Sequence, residues 1–127
     1  MQLSIINDTQ IRLDVDGDQA LTIGGEVLGA LGMLASSLAM CTAAVLHEYA
    51  TTAQFVLEPF TIEVRWQVAE RPRRVQHFAM QVRVPPHVPW SRHAALLRAA
   101  EHCTVHNTLV GGATINSMVE VSNAQQA

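Results

Sequence analysis

Apolar and polar residues alternate in several stretches of this chain, and each stretch predicts a strand. Leu3 and Ile5, then Ile11, Leu13 and Val15, are separated by polar residues, with Asn7-Asp8 as one turn and Asp16-Gly17-Asp18 as another. This reads as a short antiparallel meander. Thr61 to Val68 alternates strictly, with Ile62, Val64, Trp66 and Val68 on one face and Glu63, Arg65 and Gln67 on the other. After a turn at Glu70 to Arg74, Val75 to Val84 alternates again, with Phe78, Met80, Val82 and Val84 inward. Together they predict a half-buried hairpin. Pro85, Pro86 and Pro89 stop it, and Ser91 is placed to cap a second helix running to about His102. Gly111-Gly112 closes the helical region, Ala113 to Val121 reads as a last strand, and Gln125-Gln126-Ala127 as a frayed tail.

The meander and the hairpin are separated by a segment of another kind. Gly24-Gly25 breaks the chain, and about Glu26 to Tyr49 then predicts one long helix. Val27 to Leu46 carries no charge, and about 20 apolar residues suffice to cross a bilayer. No Lys or Arg flanks either end to anchor or orient a span. A helix that is apolar all round is also what a buried central helix looks like, and the strands need a cover for their apolar faces. The expectation is therefore a non-membrane α+β fold with helices on antiparallel sheet. A meander and a distant hairpin that both need one helix invite a second chain, so a homodimer is expected.

Composition narrows the function classes. The 127 residues fit one domain, 1–127. The formal net charge is −3 and every basic residue is Arg. Arg71, Arg73 and Arg74 cluster in the hairpin turn, where solvation explains them, and no basic stripe of the kind nucleic-acid binding needs is present. Met1 to Ile6 has no secretory pattern, and a cytoplasmic location is expected. Two distant cysteines there are either inert core thiols or a redox pair, since they make neither a disulfide framework nor a zinc ribbon.

Cys41 falls in mid-helix, on a stripe with Leu34, Leu38, Val45 and Glu48. Such a thiol gains nothing from its own helix N-terminus. Its pKa falls only if a cation or a donor arrives from elsewhere, and burial alone raises it. An inert core thiol is the plain reading. Cys103 sits within Glu101-His102-Cys103-Thr104-Val105-His106. If the chain bends there and restarts at Thr104, Cys103 lies at a helix N-terminus that favours the thiolate; if the helix runs through, it does not. His102 and His106 flank it without completing a metal site, and His47, His77, His87 and His93 show no ligand spacing. No metal or other cofactor is expected.

Two segments resemble a known family. Leu34-Ala35-Ser36-Ser37-Leu38-Ala39-Met40-Cys41-Thr42-Ala43-Ala44 resembles the cysteine helix of OsmC/Ohr proteins, and Ala99 to Leu109 resembles their second cysteine motif, with the Ile62-Glu63-Val64-Arg65-Trp66 strand between them. The resemblance covers roughly Leu34 to Val121. It implies an intertwined homodimer with two active sites at the interface, Cys41 as peroxidatic thiol and Cys103 as resolving thiol. It further implies reduction of organic hydroperoxides or hydrogen peroxide, with electrons from a dithiol reductant. The chain departs from the family where members carry a Pro-Glu or similar acidic motif, because Gly29-Ala30-Leu31-Gly32-Met33 has no carboxylate. Thr104 stands where the family usually has Pro, and Arg12, the only N-terminal arginine, does not align with the family's active-site Arg. Losing a guanidinium at such a site costs about 2.7–4 kcal/mol of transition-state stabilisation. Glu48 shares the Cys41 stripe but lies two turns, about 10 Å, along the axis.

Three readings follow. One is a thiol peroxidase that closes a Cys41–Cys103 disulfide. Another is a non-enzymatic member of the fold that binds a small hydrophobic ligand at the dimer interface. The last is a dimeric scaffold with neither activity.

Overall fold

The computed structural model describes residues 1–5, 7, 10–14, 20–24 and 28–122. Strands β1 (Gln2–Ile5), β2 (Gln10–Asp14) and β3 (Ala20–Gly24) form an antiparallel sheet in that order. Its register sets Leu3 opposite Leu13 and Ile5 opposite Ile11, and Leu13 and Ile11 opposite Leu21 and Ile23. Residues directly opposite share a face, so six Leu and Ile side chains make one apolar face. The Asn7 side chain bonds Gln10 at the first turn. The predicted turn at Asp16-Gly17-Asp18, together with Val15, Gly25, Glu26 and the tail Gln125-Gln126-Ala127, lies outside the described residues.

The long helix α1 spans Ala30–Thr52, later at both ends than the sequence pattern indicates. Gly29 caps its N-terminus without a side-chain bond. At the other end Ala50 is pulled into the core, and the Thr51 hydroxyl donates to the His47 carbonyl at 3.0 Å, which holds the last turn. The buried line on α1 runs Ala35, Leu38, Thr42, Leu46 and Ala50, so Cys41 borders the covered face. By length and composition α1 could cross a membrane, and only 22% of its most apolar window is buried within one chain.

Strands β4 (Thr61–Ala69) and β5 (Arg74–Arg83) form the hairpin. Ile62 faces Val82, Val64 faces Met80 and Trp66 faces Phe78, with a register shift between Gln67 and Val68. The turn arginines are occupied locally: Arg73 pairs with Glu70 at 2.7 Å and Arg74 bonds the Pro72 carbonyl at 3.0 Å. After the prolines, Pro89 rather than Ser91 opens the helical segment, as a 3₁₀ turn at Trp90–Arg92. Helix α2 follows (His93–Ala100), and after a break α3 (Thr104–Gly111). Leu46, Ala50, Leu57, Val88, Leu96 and Ala100 form the core, flanked by Tyr49, Phe55, Phe60, Val82 and Val84. Arg92 locks α2 to α1, with its guanidinium 5.3 Å from the Phe55 ring centroid and a 3.4 Å bond to the Tyr49 hydroxyl.

The last predicted element differs. Ala113 to Val121 is not a strand in the single chain; 112–122 carries no regular structure and is exposed throughout. The alternating pattern is present but, among the described residues, no strand lies beside it. Unpaired extended backbone makes no ladder bonds.

Candidate functional site: two thiols at one helix N-terminus

The chain does bend at Cys103. Its backbone is extended (φ −70°, ψ 130°), which makes it the N-cap of α3. The His106 backbone N–H donates to Cys103 Sγ at 3.4 Å, a bond that satisfies one of the orphan donors of a helix start. Side-chain oxygens do this in most helices; here sulfur does. Cys103 is fully buried.

The same turn receives Cys41. The Cys41 pKa is lowered, first by the Cys103 thiol and then by the Val105 and Thr104 backbone N–H groups, and burial opposes them only in part. The donors that a mid-helix thiol lacks are therefore delivered from α3. Both cysteines are reduced, with Cys41 half-buried. Thr104 and Val105 open α3, so the amides that favour a Cys41 thiolate stand at the positive end of the α3 dipole.

Other sequence candidates sit elsewhere. Glu48 is exposed on α1, two turns beyond Cys41 and next in sequence to Tyr49, which bonds Arg92. Arg12 pairs with Asp14 at 3.0 Å on the N-terminal sheet. No arginine is among the groups that lower the Cys41 pKa. His102 is exposed and His106 half-buried, and no cluster of three metal-ligating side chains occurs among the described residues. Sequence reasoning missed the Thr104 and Val105 amides, which carry no side-chain signature. It also missed Thr42, fully buried beside Cys41 in sequence, whose hydroxyl has no partner among the described residues.

Two apolar depressions adjoin this region. A groove of about 460 Å³ is lined by Leu38, the β5 run Val75 to Phe78, Met80, and His106, Leu109 and Val110 of α3. Leu38 is one turn before Cys41 on α1. A second, of about 250 Å³, lies between β5 and α2 over Leu46, with Met80 common to both.

The family model for OsmC-like protein matches residues 24–118. Solved structures share the fold. One is a protein assigned to the osmotic stress induced and detoxification response in Psychrobacter arcticus, at 19% identity and TM-score 0.75, with 84% of this chain and 85% of that one covered. An OsmC-like protein from Mycoplasma pneumoniae matches at 17% identity and TM-score 0.71, covering 87% and 86%. An OsmC-like hydroperoxide resistance protein from a Jannaschia species matches at 16% identity and TM-score 0.60, covering 91% and 84%. At these identities the likeness is one of fold. No curated protein matches the chain.

Proposed function

The chain belongs to the OsmC-like protein family, and from that premise we propose that it is a thiol-dependent peroxidase acting on organic hydroperoxides or hydrogen peroxide. One observation carries the reading: Cys103 is the N-cap of α3, and that thiol with the first amides of α3 lowers the Cys41 pKa, so a nucleophile and a resolving thiol meet at one anion-favouring turn. The Cys41 thiolate attacks the near oxygen of the O–O bond, which breaks. Cys41 becomes a sulfenic acid and the alkoxide leaves, taking a proton to become the alcohol. The Cys103 thiol then attacks the sulfenic sulfur, expels water and closes the Cys41–Cys103 disulfide. A dithiol reductant restores both thiols, a cycle suited to a reducing cytoplasm. Helix amides and a neighbouring S–H stand in for the family's guanidinium at the resting thiolate. They leave the departing oxygen with less help, so turnover should be slow relative to arginine-equipped members.

The working unit we propose is a homodimer. Its support is α1, whose apolar surface is mostly uncovered by its own chain, and the uncovered Leu and Ile face of the N-terminal sheet.

The test is the mass of the reduced protein after one equivalent of cumene hydroperoxide, followed by alkylation without denaturant. Loss of two hydrogens with both cysteines protected is expected, and Cys41→Ser should abolish it while Cys103→Ser stops at sulfenic acid. The Cys41 pKa is lowered, so its reaction rate should hold as pH falls below the ordinary thiol range and drop only through the lowered value. Two alkylated, unoxidised cysteines would refute the peroxidase. The apolar depression over Leu46 favours the remaining reading, a non-enzymatic protein binding a small hydrophobic ligand, and that result would promote it.

A further inference from the structure

The resolving thiol is shut away from solvent. Cys103 is fully buried, its sulfur holds the His106 amide at 3.4 Å, and its own N–H is committed to the Ala100 carbonyl at 3.4 Å. A thiol attacks only after losing its proton, and water does not reach this one to take it. A neighbouring group has to carry the proton out.

Helix geometry supplies one. Cys103 is the N-cap of α3, so His106 is the third helical residue. A side chain at that position can reach back over the cap residue, as the Glu of a capping box does. Here the cap N–H is already taken, and among the described residues the His106 ring makes no hydrogen bond or ion pair. The residue is half-buried and lines the groove with Leu38 and Leu109. It therefore stands between the sealed thiol turn and water.

The other histidines are committed or exposed. His47 pairs with Glu58 at 3.0 Å, His87 bonds the Val56 carbonyl at 2.8 Å and His93 stacks on Trp90. His77 lines the same groove from β5 but is exposed, as is His102 in the turn before α3. The remaining titratable or charged side chains around this turn are Cys41, Glu48, Arg98 and Glu101, and all but Cys41 are exposed. The β5 arginines are held at the strand ends, Arg74 by the Pro72 carbonyl and Arg83 by Glu63.

We propose that His106 is the base of the resolving half-reaction. The neutral imidazole takes the Cys103 Sγ proton as that sulfur attacks Cys41 Sγ. The S–S bond forms and the S–O bond of the sulfenic acid breaks. The imidazolium returns the proton to the departing hydroxide, which leaves as water, and the ring ends neutral. The hydroperoxide that made the sulfenic acid is the only oxidant spent. This role rests on the proposed function for its pair of thiols and not for its oxidant.

The experiment separates closure from peroxide chemistry by treating the reduced full chain with dipyridyl disulfide. Attack by Cys41 releases one thiopyridone, and closure by Cys103 releases a second, a leaving group that needs no proton. Imidazole changes charge between about pH 5 and 8, so the parent's second release should accelerate with pH across that range. A positioned base contributes about a hundredfold to ten-thousandfold. In His106→Gln the second release should slow at least tenfold and lose that rise, with the first release and the helical circular dichroism kept. Gln suits the third helical position, and His102→Gln should behave as the parent. With cumene hydroperoxide, His106→Gln should form sulfenic acid at the parent rate and then hold it. A parent that closes with the pyridyl reagent but not with hydroperoxide would refute the peroxidase and leave this role standing. Unchanged closure in His106→Gln overturns the proposal, as does a rise lost in His77→Gln instead. So does a parent that closes no disulfide with either reagent, or whose closure accelerates only above about pH 8, where ordinary thiols ionise.

Discussion

Two antiparallel sheets in this molecule are built on one plan and meet opposite fates. The β4–β5 hairpin turns Ile62, Val64, Val82 and their neighbours toward α1 and α2, and a core closes over Leu46, Leu57 and Leu96. The β1–β2–β3 sheet has an equally apolar face, yet Leu3 is 48% exposed, Ile5 75% and Leu21 56%. Strand patterning is thus the same in both, and what differs is cover. One chain owns enough helix to finish one core. The remaining Leu and Ile face, the open side of α1 and the segment after α3 are left exposed within one chain.

Truncating the finished side should have the largest effect. Leu46 is 1% exposed at the centre of the core, and Leu46→Ala should destabilise by about 2–5 kcal/mol through lost transfer and a residual cavity. Urea unfolding monitored by circular dichroism measures it. Because α1, α2 and the hairpin all come from one chain, the stability difference between variant and parent should be the same across protein concentrations. A destabilisation that grows on dilution would show that this core too is shared between copies.

The unfinished side should respond differently. Ile5→Asp touches little within its own chain, so it should leave the hairpin core intact. If a second copy covers the sheet face, the charge is buried on association, and the dissociation constant should rise at least tenfold, about 1.4 kcal/mol. Analytical ultracentrifugation across a dilution series decides it. Unchanged association would mean that the N-terminal face is not part of the contact.

The same division explains what the sequence disclosed. Period-two alternation located β1, β2 and the β4–β5 hairpin to within a residue or two, because each face is chemically uniform, whereas β3 (Ala20–Gly24) was bracketed only by a turn and a Gly-Gly break. The long helix was visible from composition, but its ends were misplaced: no charged cap marks Gly29, and burial of Ala50 carries the helix past Tyr49. The break before α3 remained open, since Thr104 is a neutral start and the deciding feature, Cys103 sulfur taking the His106 amide, is three-dimensional. Both cysteines were legible as a pair only by resemblance. Their common turn was not, because backbone amides leave no trace in residue identity. The 113–121 pattern reads as a strand and is not one in the structure; alternation reports a preference, which needs a neighbouring strand to be realised.

Thr42 gives the smallest and sharpest test, since it lies on the covered line of α1 between Leu38 and Leu46. Thr51 and Thr108 each return their hydroxyl to the carbonyl four residues back, at 3.0 and 2.8 Å. Thr42 is equally helical and fully buried, but its hydroxyl has no partner among the described residues. A buried donor left unmade costs about 1–3 kcal/mol, and replacing it by an apolar group of the same shape recovers part of that. Thr42→Val keeps the branched shape and should therefore raise stability, by about 1 kcal/mol, with α1 unchanged. A loss of similar size would show that the hydroxyl does find the Leu38 carbonyl in solution, and that the covered core is as well satisfied in its polar groups as in its packing.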